Sequence, residues 1–178
     1  MQFSALFTHC PACGSTKFVQ NNEKSKRCES CGFIFYMNAS AAVAAFIVNE
    51  NNELLVCKRA KEPQKGTLDL PGGFVDFNES AEQALTREIA EEINAIVIDS
   101  SYLFSLPNLY EYSGLTVPTL DMFYSCKLKN MSALKPSDDV EDCFFVAIKE
   151  IKPALFGLNS VRKAVSVFLE TYNLLKPN

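Results

Sequence analysis

The stretch Gly72–Ala95, GGFVDFNESAEQALTREIAEEINA, narrows what the chain around it can become. Ser80 followed three residues later by Gln83 reads as a capping box, so a helix is predicted from Ala81 to Ile93. Asn94 tolerates a left-handed backbone and can end it. Ala81, Leu85, Ile89 and Ile93 recur at every fourth position and form a stripe to be buried. Glu88, Glu91 and Glu92 stand at i, i+3 and i+4, which puts their β-carbons about 5–6 Å apart on one face. The stretch carries six acidic residues against one arginine, in a chain whose net charge is only −4. Like charges so close destabilise a helix unless a cation sits among them. Three such carboxylates suit a hard divalent ion, Mg²⁺ or Mn²⁺, although a solvated acidic face has the same composition. Arg87 can reach Glu91 at i+4 and hold it. Gly72 and Gly73 lie ahead of the helix, where bare backbone can bring a carbonyl to a metal.

The remaining bulk properties bound the function. The 178 residues suffice for one domain and a small extra module, and 48% hydrophobic with 21% charged residues is ordinary for a globular chain. The acidic balance argues against duplex nucleic acid as the main partner, because there is no broad basic surface to release counterions. By the same token an anionic substrate needs a bound cation. No apolar run approaches the roughly 20 residues of a membrane span. The opening MQFSALFTHC lacks the basic and sustained apolar segments of a signal peptide. With seven cysteines, four of them at metal-type spacing, a reducing compartment is expected and the cytoplasm is the default.

Those four are Cys10, Cys13, Cys28 and Cys31: Cys-x2-Cys, fourteen residues, Cys-x2-Cys. Each pair offers two thiolates on one side of a turn, and Gly14 and Gly32 relieve crowding where the backbone wraps an ion. A four-thiolate Zn²⁺ site follows, whose binding supplies the folding energy that a segment of 37 residues cannot draw from its own core. His9, the only histidine, adjoins Cys10; it can replace a ligand, but reads first as an exposed bystander. KFVQNN and GFIFYM read as the two strands of a zinc ribbon over residues 1–37. Residues 38–178 read as the second domain. AAVAAFIVNE and ELLVCKRA form a hairpin across Asn51–Asn52, TLDLPGG ends a further strand, and AIVI is another. SYLFSLPNLYEYSG is part strand and part loop, LTVPTLDMFYSCKL a long strand, KPSDDVED an acidic loop and CFFVAI a strand. NSVRKAVSVFLETYNLL is an amphipathic helix with Val161, Val165, Phe168, Leu169 and Tyr172 on one stripe. The fold class expected is α/β (α+β), a mixed β-sheet packed between helices.

Gly73, five residues, Glu79, seven residues and then REIAEE resembles the Nudix box, G-x5-E-x7-R-E-U-x-E-E-x-G-U with U aliphatic. Gly73, Glu79, Arg87, Glu88, Ile89, Glu91 and Glu92 match; Asn94 and Ala95 depart from the final Gly and aliphatic positions. The resemblance implies the Nudix fold and hydrolysis of a nucleoside diphosphate linked to another group. It implies Mg²⁺ or Mn²⁺ ligands at Glu88, Glu91 and Glu92, with a backbone carbonyl from Gly72 or Gly73 and Glu79 in a supporting role. A further carboxylate from a late loop falls on Glu141, with Asp139 and Asp142 as rivals. The general base is Glu91, Glu92 or Glu141.

A zinc ribbon ahead of such a domain is similar to the NADH pyrophosphatase group. That group carries S-Q-P-W-P-F-P-x-S after the box; here the place reads SLPNLYEYSG, with Ser105 and Pro107 matching and no Trp. Phe104, Tyr110 and Tyr112 are candidates to stack on a base, and Arg59, with Lys58 and Lys61, to meet a phosphate, against ordinary sheet packing and a solvated strand edge. The substrates that fit are ADP-ribose, a nucleotide sugar or NADH, a small-molecule nucleotide in each case, and a homodimer is a common state in such a family. The other reading is an RNA- or protein-binding zinc-ribbon module with a regulatory Nudix domain; a third gives the ribbon a purely stabilising role.

Overall fold

The computed structural model describes residues 6–131 and 134–175. Contacts divide the chain into two compact units, Met1–Ser40 with Leu109–Pro118, and Ala41–Asn108 with Thr119–Asn178.

In the first unit, strands β1 (Phe18–Asn22), β2 (Ser25–Cys28) and β3 (Ile34–Tyr36) form an antiparallel sheet in that order. The polar NNEKSKR segment, expected only as a connection, contains β2. The strand is missed in sequence because it carries no apolar alternation; Ser25 and Lys26 are nevertheless buried, the lysine over the Phe18 ring with its ammonium 5.1 Å from the centroid. The apolar core here is Cys10, Phe18 and Cys28 with Phe35 against them.

The second unit contains β5 (Glu53–Arg59), β6 (Leu68–Asp69), helix α1 (Ala81–Ile93), β9 (Val140–Ala147), helix α2 (Asn159–Leu175), and most of β4 (Ser40–Phe46), β7 (Val97–Tyr112) and β8 (Leu115–Leu128). Two three-stranded sheets run β4-β8-β7 and β6-β5-β9. Alternate residues of the same strands face opposite ways. Val43, Ala45, Leu55, Cys57, Tyr124 and Cys126 pack with Leu85, Ile89 and Ile93 of α1. Ala44, Phe46, Leu54, Val56 and Phe123 pack with Val161, Ala164 and Val165 of α2. The sheets therefore lie between the two helices, as expected. A strand buried on both faces must be apolar throughout, which is why AAVAAF and LLVC read as unbroken runs rather than alternations.

Two strand expectations need correction. β4 and β5 are joined through Asn49–Asn52 but pair only beside the turn, at the Val48–Leu54 bridge and the Leu55 N–H to Ile47 carbonyl bond of 2.9 Å. They then diverge into separate sheets, because the edge of β4 is taken by the segment after β6: Ala45 N–H donates to the Pro71 carbonyl and Val43 N–H to the Gly73 carbonyl. The AIVI strand and the following part-loop are one sixteen-residue strand, β7. Pro107 is tolerated inside it because β7 is an edge strand and needs no ladder hydrogen bond on its outer side. The turn into β8, Ser113–Gly114, has φ of 50° and 76°, the positive pair that a two-residue hairpin of the twisted type requires.

Candidate active site

Helix α1 begins as its sequence dictates. Ser80 Oγ accepts from the Gln83 N–H, the Gln83 side chain accepts from the Ser80 N–H at 2.8 Å, and Asn94 closes the helix at φ 53°, ψ 43°. Its polar face is organised by Arg87. The guanidinium donates to both oxygens of Glu79 at 2.9 Å, to Glu88 at 2.8 Å, to Glu91 at 3.0 Å and to the Phe74 carbonyl at 3.0 Å. The Asp76 N–H also donates to Glu79, so loop and helix are tied at one point. Arg87 and this N–H hold the Glu79 carboxyl below its ordinary range.

The two glycines are required for different reasons. Gly72 has φ 146°, and a Cβ there would lie 2.1 Å from the Val43 carbonyl oxygen. Its N–H donates to Glu92 Oε2 at 2.9 Å. Gly73 leaves room for a carboxylate: a Cβ would stand 2.4 Å from Glu88 Oε1. Gly72 and Gly73 are thereby brought against Glu92 and Glu88.

The three carboxylates differ in setting. Glu92 is buried, and among the described residues it has no ion-pair partner. Burial pushes its pKa well above the ordinary value, the Gly72 N–H works against this, and the charges of Asp69, Glu88 and Asp139 add to it. Glu88 is raised as well, first by burial, with Arg87 opposing and Glu91 and Asp138 adding. The Glu91 side chain is 54% exposed, so it faces water beside a buried Glu92 and a partly buried Glu88. One arginine shared among several acids leaves the face short of positive charge, and a hard divalent cation is the ion whose chemistry suits such a donor set.

The other candidates are placed as follows. Glu141 is the second residue of β9 rather than a loop residue, and it pairs with Lys58 at 2.9 Å. Asp138 and Asp139 both pair with Lys61. Arg59 is bound to Asp69 at 2.6 Å and to the Pro63 carbonyl at 2.8 Å, with its side chain mostly buried. Phe104 packs on Phe123 in the cluster under α2, ring centroids 5.4 Å apart. Tyr110 and Tyr112 lie in the segment Leu109–Pro118 of the first unit, Tyr112 largely exposed. A shallow recess beside Glu91, lined by Ala90, Asn94, Lys135, Pro136 and Ser137, was missed in sequence. Its one cation, Lys135, carries no local signal, because the loop meets the helix only in the fold, through Lys135 N–H to Ile93 O and Ser137 N–H to Glu92 O.

In the first unit the sulfurs of Cys10, Cys13, Cys28 and Cys31 all lie within 4.8 Å of one another, with Cys10–Cys31 at 3.7 Å and Cys13–Cys28 at 3.6 Å. Four thiolates about 2.3 Å from a tetrahedral centre stand about 3.8 Å apart, so the cluster has the dimensions of a metal site. Gly14 and Gly32, at φ 73° and 78°, turn the backbone back on Cys10 and Cys28. Burial opposes ionisation of Cys28, but the N–H groups of Cys31 and Ser30 outweigh it and bring the thiol to about 6. His9 is exposed and bonded to Thr8, outside the cluster.

Residues 38–166 match the sequence model of the NUDIX domain. The chain belongs to the NUDIX family. Over 82 residues it is 43% identical to an ADP-ribose pyrophosphatase of Methanocaldococcus jannaschii, covering 46% of this chain and 44% of that protein. It is 23% identical to the NAD-capped RNA hydrolase NudC of Pseudomonas aeruginosa, over 90% of this chain and 55% of the relative. This NUDIX chain thus spans about half the length of those curated relatives. In fold it is similar to a NUDIX hydrolase from Nitrosomonas europaea, with a TM-score of 0.73, 24% identity, and coverage of 96% of this chain and 94% of that one. Among the described residues no helix is long and apolar enough to cross a membrane.

Proposed function

We propose that this NUDIX protein hydrolyses the pyrophosphate bond of a nucleoside diphosphate derivative, using Mg²⁺ or Mn²⁺ held by Glu88, Glu91 and Glu92 with a carbonyl of Gly72 or Gly73. The observation that carries this reading is a buried Glu92, without an ion-pair partner among the described residues, within electrostatic reach of Glu88, each carboxylate set against one of the two glycines. That arrangement costs stability by itself and becomes favourable only with a cation present. A divalent ion there supplies positive charge to the phosphate oxygens and lowers the pKa of water.

The chain's own groups do the rest. The Gly72 N–H fixes one oxygen of Glu92, leaving the other to the site. Arg87 orients Glu88 and Glu91 and is itself held by Glu79, so it acts as a positioning residue. Glu91, half in water, is the carboxylate best placed to take a proton from an attacking water, with Glu92 and Glu141 as the other candidates. In Glu141 that role requires release from Lys58. The thiolate cluster holds Zn²⁺ and supplies the folding energy that its small core lacks.

The substrate class is ADP-ribose or an NAD-type dinucleotide; relatives named ADP-ribose pyrophosphatase and NAD-capped RNA hydrolase support a nucleotide pyrophosphate as the bond cleaved. The test is a panel with Mg²⁺: ADP-ribose, NADH, an RNA bearing a 5′-NAD cap, and nucleoside triphosphates, with Glu91→Gln as control. Release of AMP from ADP-ribose or NADH, or of a 5′-monophosphate RNA from the capped one, is expected. Turnover of the triphosphates alone, or equal turnover by the variant, overturns the proposal.

A further inference from the structure

Cys57 and Cys143 are used neither by the cysteine cluster nor by the carboxylate site. They stand directly opposite each other on β5 and β9. The hydrogen bonds of the surrounding residues fix which kind of pair they form. Leu55 N–H bonds to Ile47 and Arg59 N–H to Thr67, so odd-numbered residues of β5 direct their backbone groups away from β9. The Asn52 carbonyl accepts from Ile148 and the Ala60 N–H donates to Asp139, so even-numbered residues face β9. On the other strand, the Cys143 N–H turns to the Asp142 carboxylate at 2.9 Å, at the outer edge of β9. Cys57–Cys143 is therefore a non-hydrogen-bonded pair, for which the Cα separation is about 4.5 Å. That lies inside the roughly 4.4–6.8 Å range that a disulfide spans. Both side chains belong to the cluster under α1, Cys57 buried within it and Cys143 half-buried against it. Cys57 lies within electrostatic reach of Glu92.

We infer that Cys57 and Cys143 are a redox-responsive thiol pair that closes reversibly to a cross-strand disulfide beside the box helix. With glutathione disulfide as oxidant, Cys143 is the accessible partner. Its sulfur attacks the disulfide and releases one glutathione; Cys57 then attacks the mixed disulfide and releases the second. Two thiols are oxidised, one disulfide is reduced, and the two thiol protons end on two glutathione thiols. Cys57 is buried and Cys143 half-buried, which limits the reach of the oxidant, so the pair closes slowly. The disulfide would tie β5 to β9 under Glu92, so a weaker grip on Mn²⁺ in the oxidised form is the second expected effect; this part rests on the proposed metal site.

The zinc-loaded protein, all 178 residues, is incubated with glutathione disulfide, its remaining thiols are alkylated, and the proteolytic peptides are weighed. A cross-linked pair of peptides carrying Cys57 and Cys143, two hydrogens lighter than the sum and resolved by dithiothreitol, is expected. It is absent from Cys57→Ala and Cys143→Ala. Singly alkylated peptides, a glutathione adduct stopping at Cys143, or cross-links confined to the zinc cysteines overturn the inference. The peptide masses do not depend on hydrolysis, so failure of the proposed activity leaves this result readable.

Discussion

Glu92 is held where its charge is opposed. Its folded pKa is raised above the unfolded value near 4.5, so between the two the folded chain keeps a proton that the unfolded chain has lost. Stability of the metal-free protein from this group therefore declines as pH rises from about 4.5 through the folded pKa. Glu79 and Asp138, whose pKa values are depressed, act oppositely: their contribution is present above the unfolded value and is lost as pH falls. Glu92→Gln should retain the Gly72 N–H bond, stabilise the metal-free protein at neutral pH by on the order of 1 kcal/mol and flatten the decline, while hydrolysis is lost. Urea denaturation at a series of pH values measures the first effect and product formation the second. Arg87→Ala strands Glu79 and Glu88, both mostly buried, and should cost about 2–3 kcal/mol; Arg87→Lys restores little, because one ammonium cannot make the two-pronged bond to Glu79. Gly73→Ala should leave the fold standing, since the flexible Glu88 end can yield, but weaken manganese binding at least about tenfold.

At the scale of elements, α1 was fully legible in the sequence because its signals are local. The Ser80–Gln83 cap, the stripe ending at Ile93 and the Asn94 stop all lie within fifteen residues. Ser80→Ala should cost about 1 kcal/mol in chemical denaturation. The sheet was legible only in part. β2 has no apolar pattern, and its pairing is supplied by β1 and β3 on either side. The divergence of β4 from β5 depends on the Pro71–Val75 segment occupying an edge, which no window of sequence displays. The full length of β7 was not legible, because its second half carries a proline and polar residues that only an edge position accommodates. The candidate site divides the same way. Its helix carboxylates and glycines were legible, whereas the carboxylate partners of Lys58 and Lys61 come from β9 and the loop before it, remote in sequence, and that of Arg59 from the next strand, β6.

At the scale of the whole molecule, the two compact units lean on different sources of stability. The second has two apolar clusters, one under each helix; in the first, the buried cluster is Phe18 with Cys10 and Cys28, the latter two belonging to the four-thiol group. Stripping Zn²⁺ with a strong chelator should abolish amide protection across β1–β3 while α1 and α2 keep theirs, as hydrogen exchange would record. Because Leu109–Pro118 clusters with Met1–Ser40, the hairpin tip between β7 and β8 should lose protection in the same step.

The carboxylate face is tested most directly by manganese binding, followed by electron paramagnetic resonance of free Mn²⁺ titrated with the zinc-loaded protein. The wild type should take up Mn²⁺, and Glu88→Gln and Glu92→Gln should each weaken that uptake at least about tenfold, since hard cations choose carboxylate oxygen over amide. Uptake that is absent in the wild type, or unchanged in both variants, would contradict the assignment of these residues as the metal site.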